Sequence, residues 1–143
     1  MVAFKIKSSP DISVKKRSRV YKEQALQISC VAWFDLQYQH IKQLLIHIPN
    51  GGARNFKINK YGKRFSPEAQ RLKLMGTRSG VPDLFLAKPN TQYNGLWIEM
   101  KSDSGKNTPH QNEYIKLLQT VGYKVVVCNN FESFRNIIKD YLK

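Results

Sequence analysis

Two short stretches carry the residue types that phosphoryl chemistry needs: Pro82-Asp83, and Glu99-Met100-Lys101. Both fall in segments with strand-like patterning, and in a strand Glu99 and Lys101, two apart, project to the same face. A hairpin between the two segments would set Asp83 beside Glu99. Two converging carboxylates repel each other unless a divalent cation lies between them, and hard oxygen donors suit Mg²⁺ or Mn²⁺. The neighbouring lysine can stabilise charge on a phosphoryl oxygen or orient an attacking water. A phosphodiester hydrolase requires that set. A second Pro-Asp pair, Pro10-Asp11, lies in a turn-like stretch, and of the glutamates only Glu99 has a lysine two residues on. The plainer reading is that Asp83 caps a strand end while Glu99 and Lys101 pair on a surface edge. From these two stretches alone, both readings stand.

The elements that must position these residues can be read from periodicity and turn chemistry. Residues 2–7 alternate as a short strand, Ser8-Ser9-Pro10-Asp11 reads as a turn, and Lys15-Lys16-Arg17-Ser18-Arg19 is a solvated basic run ahead of a helix. That helix is expected over 20–39, with two apolar stripes available: Ala25, Ile28, Ala32 and Leu36, or Leu26, Cys30 and Trp33. Leu44 to Ile48 is a strand closed by Pro49-Asn50-Gly51-Gly52. After a polar loop over 53–65, Ser66-Pro67-Glu68 marks the start of a short helix ending near Gly76. Strands are expected over 81–87 and 96–101. Thr108-Pro109-x-Gln111 opens a helix whose Tyr114, Leu117, Leu118 and Val121 share a face. Residues 123–128 form a buried strand, and 131–142 a closing helix with Phe134, Ile138 and Tyr141 inward. The order αβ(α)ββαβα makes this an α/β fold, with a basic arm at 1–19 and one domain over 20–143.

Charge and composition narrow the partners. The chain has 143 residues, with 24 Lys and Arg against 10 Asp and Glu, a net charge of +14. Such an excess usually faces a polyanion, most often nucleic acid. Residues 1–75 hold 15 basic against 4 acidic residues, a net of +11, whereas 76–143 hold 9 against 6, a net of +3. No apolar run approaches a membrane span, and without an apolar h-region in the first residues secretion is not expected. The lone Cys30 and Cys128 form no metal pair or disulfide framework, and His40, His47 and His110 lack zinc spacing. A reduced, intracellular compartment is expected. In the 53–65 loop, Arg54, Lys57, Lys60, Lys63 and Arg64 alternate with Phe56, Tyr61 and Phe65, without one acid. Lys73 and Arg78 follow. Such a loop can neutralise phosphates, and its aromatics can stack on unpaired bases.

Glu23 and Gln27 lie one helical turn apart and face the same way. Gln111 completes a capping box with Thr108, and a helix start is also a place to meet an anion. Together these pieces resemble the VRR-NUC (virus-type replication-repair nuclease) domain, a branch of the PD-(D/E)xK restriction-endonuclease-like superfamily. The resemblance runs through Glu23-x-x-x-Gln27, His47-Ile48-Pro49-Asn50-Gly51-Gly52-x-Arg54 and Leu72-Lys73-x-Met75-Gly76-x-x-x-Gly80-Val81-Pro82-Asp83-Leu84. It continues through Gly95-Leu96-x-Ile98-Glu99-x-Lys101, Thr108-Pro109-x-Gln111 and Gly122-Tyr123. It covers residues 20 to about 142, and Met100 stands where leucine or valine is frequent.

The resemblance implies a restriction-endonuclease-like core: a mixed central sheet flanked by helices. It implies that Asp83 and Glu99 ligate Mg²⁺ or Mn²⁺ with the Met100 carbonyl, and that Glu23 is a further acidic ligand, direct or through water. Lys101 would position or activate the attacking water, and Gln111 would orient Lys101 or the scissile phosphate. The expected activity is a metal-dependent DNA endonuclease, selective for Holliday junctions or other branched DNA in replication, recombination or repair, and homodimeric. If the gene is carried by a phage, the site of action is a bacterial cytoplasm. The rival enzyme is a sequence-specific duplex restriction endonuclease. The rival from another class is a non-catalytic DNA-binding protein of the same fold.

Overall fold

The structure, a computed structural model, describes residues 12–49 and 56–143. The expected strand at 2–7, the turn at 8–11, the Asn50-Gly51-Gly52 part of the strand-closing turn and Arg54 lie outside the described residues. Helix α1 spans Ile12–Gln37, longer at its start than the periodicity indicates. No glycine or proline interrupts 12–37, so the stretch holding Lys15–Arg19 continues the helix instead of preceding it. A 3-10 turn at Lys42–Leu44 leads into β1, Leu45–His47. The segment expected as a loop contains a small hairpin, β2 (Lys57–Ile58) and β3 (Arg64–Phe65). Its two-residue strands are too short to show alternation in sequence.

Helix α2, Pro67–Leu74, starts as Ser66 and Pro67 dictate: the Ser66 hydroxyl accepts from the Ala69 amide at 3.2 Å. Strands β4 (Leu84–Leu86) and β5 (Leu96–Met100), helix α3 (Pro109–Thr120), strand β6 (Lys124–Cys128) and helix α4 (Phe131–Tyr141) complete the chain. The main sheet has the order β1-β4-β5-β6. β4 runs antiparallel to β1 and β5, and β6 is parallel to β5, joined to it by the α3 crossover. The sheet is therefore mixed, with helices against it.

Alternation along β4 and β5 divides the sheet into two faces with different work. Leu84, Leu86, Leu96, Ile98 and Met100 point into the core, where they meet Cys30 and Phe34 of α1, Cys128, and Phe134, Ile138 and Tyr141 of α4. Trp33 bridges the two helices edge-on, 6.1 Å from Phe134 and 6.2 Å from Phe131. The opposite face carries Phe85 stacked on Trp97 at 4.4 Å, and continues to Asp83 and Glu99. Of the two stripes on α1, the one through Leu26, Cys30 and Trp33 packs inward, while Ile28 and Leu36 stay exposed. The expected face of α3 needs correction. Leu118 is buried, but Leu117 and Val121 are exposed, and Tyr114 and Ile115 are half-buried. The helix lies along β6 and turns toward the sheet the side that also bears Gln111. Cys30 and Cys128 are buried free thiols, and burial pushes that of Cys30 up to about 12, which leaves it unreactive.

Candidate active site

The β4–β5 register sets the central pair. Leu84 lies opposite Ile98, so one step further along the hairpin brings Asp83 opposite Glu99. Asp83 sits just before β4 and not within it, yet its carbonyl still accepts from the Ile48 amide at 2.8 Å. Its side-chain Oδ2 accepts from the Met100 amide at 2.8 Å, which fixes the carboxylate against the end of β5. Lys101 follows β5 directly, held by its own amide donating to the Cys128 carbonyl at 2.8 Å.

Glu99 is 2% exposed, and its Oε1 takes the Lys101 ammonium at 2.8 Å. Gln111 ties the group together. Its Oε1 accepts from Lys101 Nζ at 3.1 Å and from the Thr108 amide at 2.8 Å, while its Nε2 donates to Glu99 Oε1. The Thr108 hydroxyl accepts in turn from the Gln111 amide, so the capping box that starts α3 also aims Gln111 at the lysine. Capping and site placement are one arrangement. Glu23 reaches the same region from α1, with Oε1 accepting from the Ser102 amide at 3.0 Å. Gln27, one turn on, places Nε2 2.9 Å from His47 Nδ1, which lies 3.0 Å from the Asp83 carbonyl oxygen. Sequence patterning gives His47 no role. Its contact depends on pairing between α1, β1 and the start of β4, which no local signal reports.

The electrostatics are strained. Burial raises the Asp83 carboxyl above its ordinary value, although the Met100 amide and Lys101 oppose the rise. Burial raises Glu99 further, to about 7, against the stabilising Lys101 bond and together with repulsion from Asp83. The second oxygen of Glu99, Oε2, is buried with no hydrogen-bond partner. A buried carboxylate oxygen left unmatched costs stability unless something cationic meets it. Hard oxygens beside a second carboxylate fit Mg²⁺ or Mn²⁺. Among the described residues, no three acidic, histidine or cysteine side chains gather into a ready-made cage.

Gly80 supplies the close approach that brings this loop to α3. Its φ is +85°, and a Cβ there would collide with the His110 carbonyl oxygen and lie 3.0 Å from the Gln111 amide nitrogen. Gly80→Ala is therefore expected to cost roughly 1–3 kcal/mol from left-handed strain and to push Gln111 off Lys101. Thermal melting and cleavage rate should fall together, and an unchanged melt would count against this packing.

The expected nucleic-acid contacts divide by position. Lys57, Lys60, Lys63 and Arg64 are exposed on the β2–β3 hairpin, Lys73 and Arg78 are exposed around the end of α2, and Arg54 is outside the described residues. Among the described residues, no helix is long and apolar enough to cross a membrane.

Comparison with known proteins agrees with this fold. No curated protein matches the chain. A solved structure described as a VRR_NUC domain protein is similar at 27% identity, with a TM-score of 0.67, covering 85% of this chain and 88% of that one. The sequence model of the VRR-NUC domain matches residues 21–132, the stretch that holds Glu23, Asp83, Glu99, Lys101 and Gln111. This chain belongs to the VRR-NUC domain family, a family of nuclease domains.

Proposed function

We propose that this nuclease domain is a Mg²⁺- or Mn²⁺-dependent DNA endonuclease acting on Holliday junctions or other branched DNA in replication, recombination or repair. The observation that carries the reading is the buried, unpartnered Oε2 of Glu99 beside Asp83, with Lys101 held within reach. A non-catalytic binder gains nothing from burying like charges.

Asp83, Glu99 and the Met100 carbonyl would hold the cation, with Glu23 adding negative charge through water. When bound, the cation offsets carboxylate repulsion and neutralises charge on the phosphoryl group. Lys101, fixed by Glu99 and Gln111, presents its ammonium where an attacking water or a non-bridging phosphate oxygen can accept a hydrogen bond. Gln111 keeps Lys101 in place before substrate arrives, which removes a reorganisation cost from the reaction. Hydrolysis then adds water oxygen to phosphorus and releases the sugar oxygen as an alcohol. A panel of labelled junction, flap, gapped and plain duplex DNA, incubated with and without divalent metal, tests the substrate class. Cleavage confined to branched forms is expected; cutting only at a fixed duplex sequence would support a restriction-type enzyme instead.

The basic hairpin supplies grip. Reversing Lys57, Lys60 and Lys63 to glutamate should weaken DNA binding and flatten its salt dependence, by a slope of roughly 0.9 for each phosphate no longer neutralised. An unchanged slope in a salt titration would remove the hairpin from the interface. Homodimerisation has support on α1. Tyr21, Ala25, Ile28, Ala32 and Leu36 recur at helical spacing on the side opposite Cys30, and all are exposed. A second copy of the chain is the occupant we assign to that stripe. Ile28→Glu should then lower the mass measured by light scattering, and a monomeric parent protein would contradict it.

A further inference from the structure

The β2–β3 hairpin is more ordered at its tip than a simple phosphate grip requires. Lys57 pairs with Phe65 and Ile58 with Arg64, leaving 59–63 as the connection. Asn59 organises that connection by itself. Its amide donates to the Lys63 carbonyl at 3.0 Å and its carbonyl accepts from the Gly62 amide at 2.9 Å. Its side-chain Oδ1 accepts from the Tyr61 amide at 3.0 Å and the Lys63 amide at 2.9 Å. Gly62 takes the left-handed φ of +75° that lets the chain turn back. The backbone of Tyr61 is therefore fixed, while the residue as a whole is 80% exposed.

Folding gains little from an aromatic ring left in water, since its apolar surface contributes only when buried. The charge around it indicates what would cover it. Lys60 Nζ lies 5.0 Å from the Tyr61 ring centroid and the Arg64 guanidinium 4.5 Å from that of Phe56. Residues 56–65 carry Lys57, Lys60, Lys63 and Arg64, and no acid. Four cations around presented rings match phosphates alternating with flat, stackable groups. In continuous duplex the bases already stack on one another, and only the cations find partners. Where a base is unpaired, a fixed aromatic gains a stacking contact that duplex cannot offer.

We infer that the hairpin is a single-strand probe, in which Tyr61 stacks on an unpaired base and so favours DNA with unpaired nucleotides over continuous duplex. The inference rests on the reading of the chain as a DNA nuclease and names what selects its substrate. Phe65 is half-buried, and the chain passes directly from it into the buried Ser66 that caps the start of α2.

The test measures binding without divalent metal, so that no cleavage intervenes. The full chain is titrated against two otherwise identical duplexes, one with a single unpaired 2-aminopurine and one fully paired. The parent protein should prefer the unpaired form by about ten-fold or more and alter 2-aminopurine fluorescence. Tyr61→Ala should reduce the preference ratio by about ten-fold, and Tyr61→Phe should keep it. A ratio unchanged in Tyr61→Ala overturns the proposal. So does an equal loss on both DNAs, or binding to anionic phosphatidylserine vesicles with no preference between the DNAs. The nuclease reading fails separately: no cleavage of any DNA in Mg²⁺ or Mn²⁺ would sink that reading and leave an intact preference ratio standing.

Discussion

Lys101→Ala is expected to lower the cleavage rate by about a thousand-fold or more while DNA binding in the absence of metal stays close to that of the parent. Lys101 is 11% exposed and is held by Glu99 and Gln111, so on the proposed reading its ammonium would serve chemistry and not grip. On the proposed reading the affinity would come from the basic hairpin, with four cations of its own. The defect should therefore appear in kcat more than in KM. Gln111→Ala should reproduce part of it, because it frees Lys101 to leave its position. Single-turnover cleavage with saturating enzyme separates the two effects, and a variant that binds poorly but cuts normally would assign Lys101 to binding.

Glu99→Gln is expected to abolish cleavage and to make the metal-free protein more stable. Burial raises the folded-state value of Glu99 from its ordinary 4.5 to about 7. The folded state then binds a proton more tightly than the unfolded chain does. The stability this contributes is fully present below about 4.5 and is lost as pH rises through about 7. Asp83, raised for the same reason, adds to the trend in the same direction. At pH 8 the buried charge costs about 3 kcal/mol at 1.36 kcal/mol per pH unit, and glutamine removes it. A melting temperature roughly 10 °C higher is the expected size of the gain. Calorimetry between pH 5 and 8 in EDTA should show the parent losing stability with pH and Glu99→Gln staying flatter. Millimolar Mg²⁺ should restore the parent and leave the variant unmoved. A variant less stable than the parent at pH 8 would show that Lys101 already compensates the charge fully.

Much of the site is legible in the amino-acid sequence because its central pair is local. Asp83 and Glu99 flank one hairpin, Glu99 and Lys101 share a strand face, and Thr108 and Gln111 form one helical turn; strand and helix periods alone bring each pair together. Contacts between distant segments carry no such mark. The approach of His47 to Asp83, and of Gln27 to His47, depends on how α1 and β1 meet β4. The fold shows the same division. Ser66-Pro67 and Thr108-Pro109 start α2 and α3 where their capping chemistry requires. On α1, two apolar stripes are available, and only packing decides that Cys30 and not Ile28 turns inward. On α3, Leu117 and Val121 are apolar yet exposed, because the helix lies along β6 with its Gln111 side toward the sheet. The hairpin at 57–65 leaves no hydrophobic pattern, since its ordering comes from the Asn59 side chain.

The most direct measurement is the cleavage of one labelled four-way junction by the parent protein and by Asp83→Ala, each in Mg²⁺, in Mn²⁺ and in EDTA. Cutting by the parent in either metal, none in EDTA, and none by Asp83→Ala under any condition is the predicted result. Undiminished cutting by Asp83→Ala, or by the parent in EDTA, would contradict the assignment of Asp83 and Glu99 as the cation-holding pair of a metal-dependent nuclease.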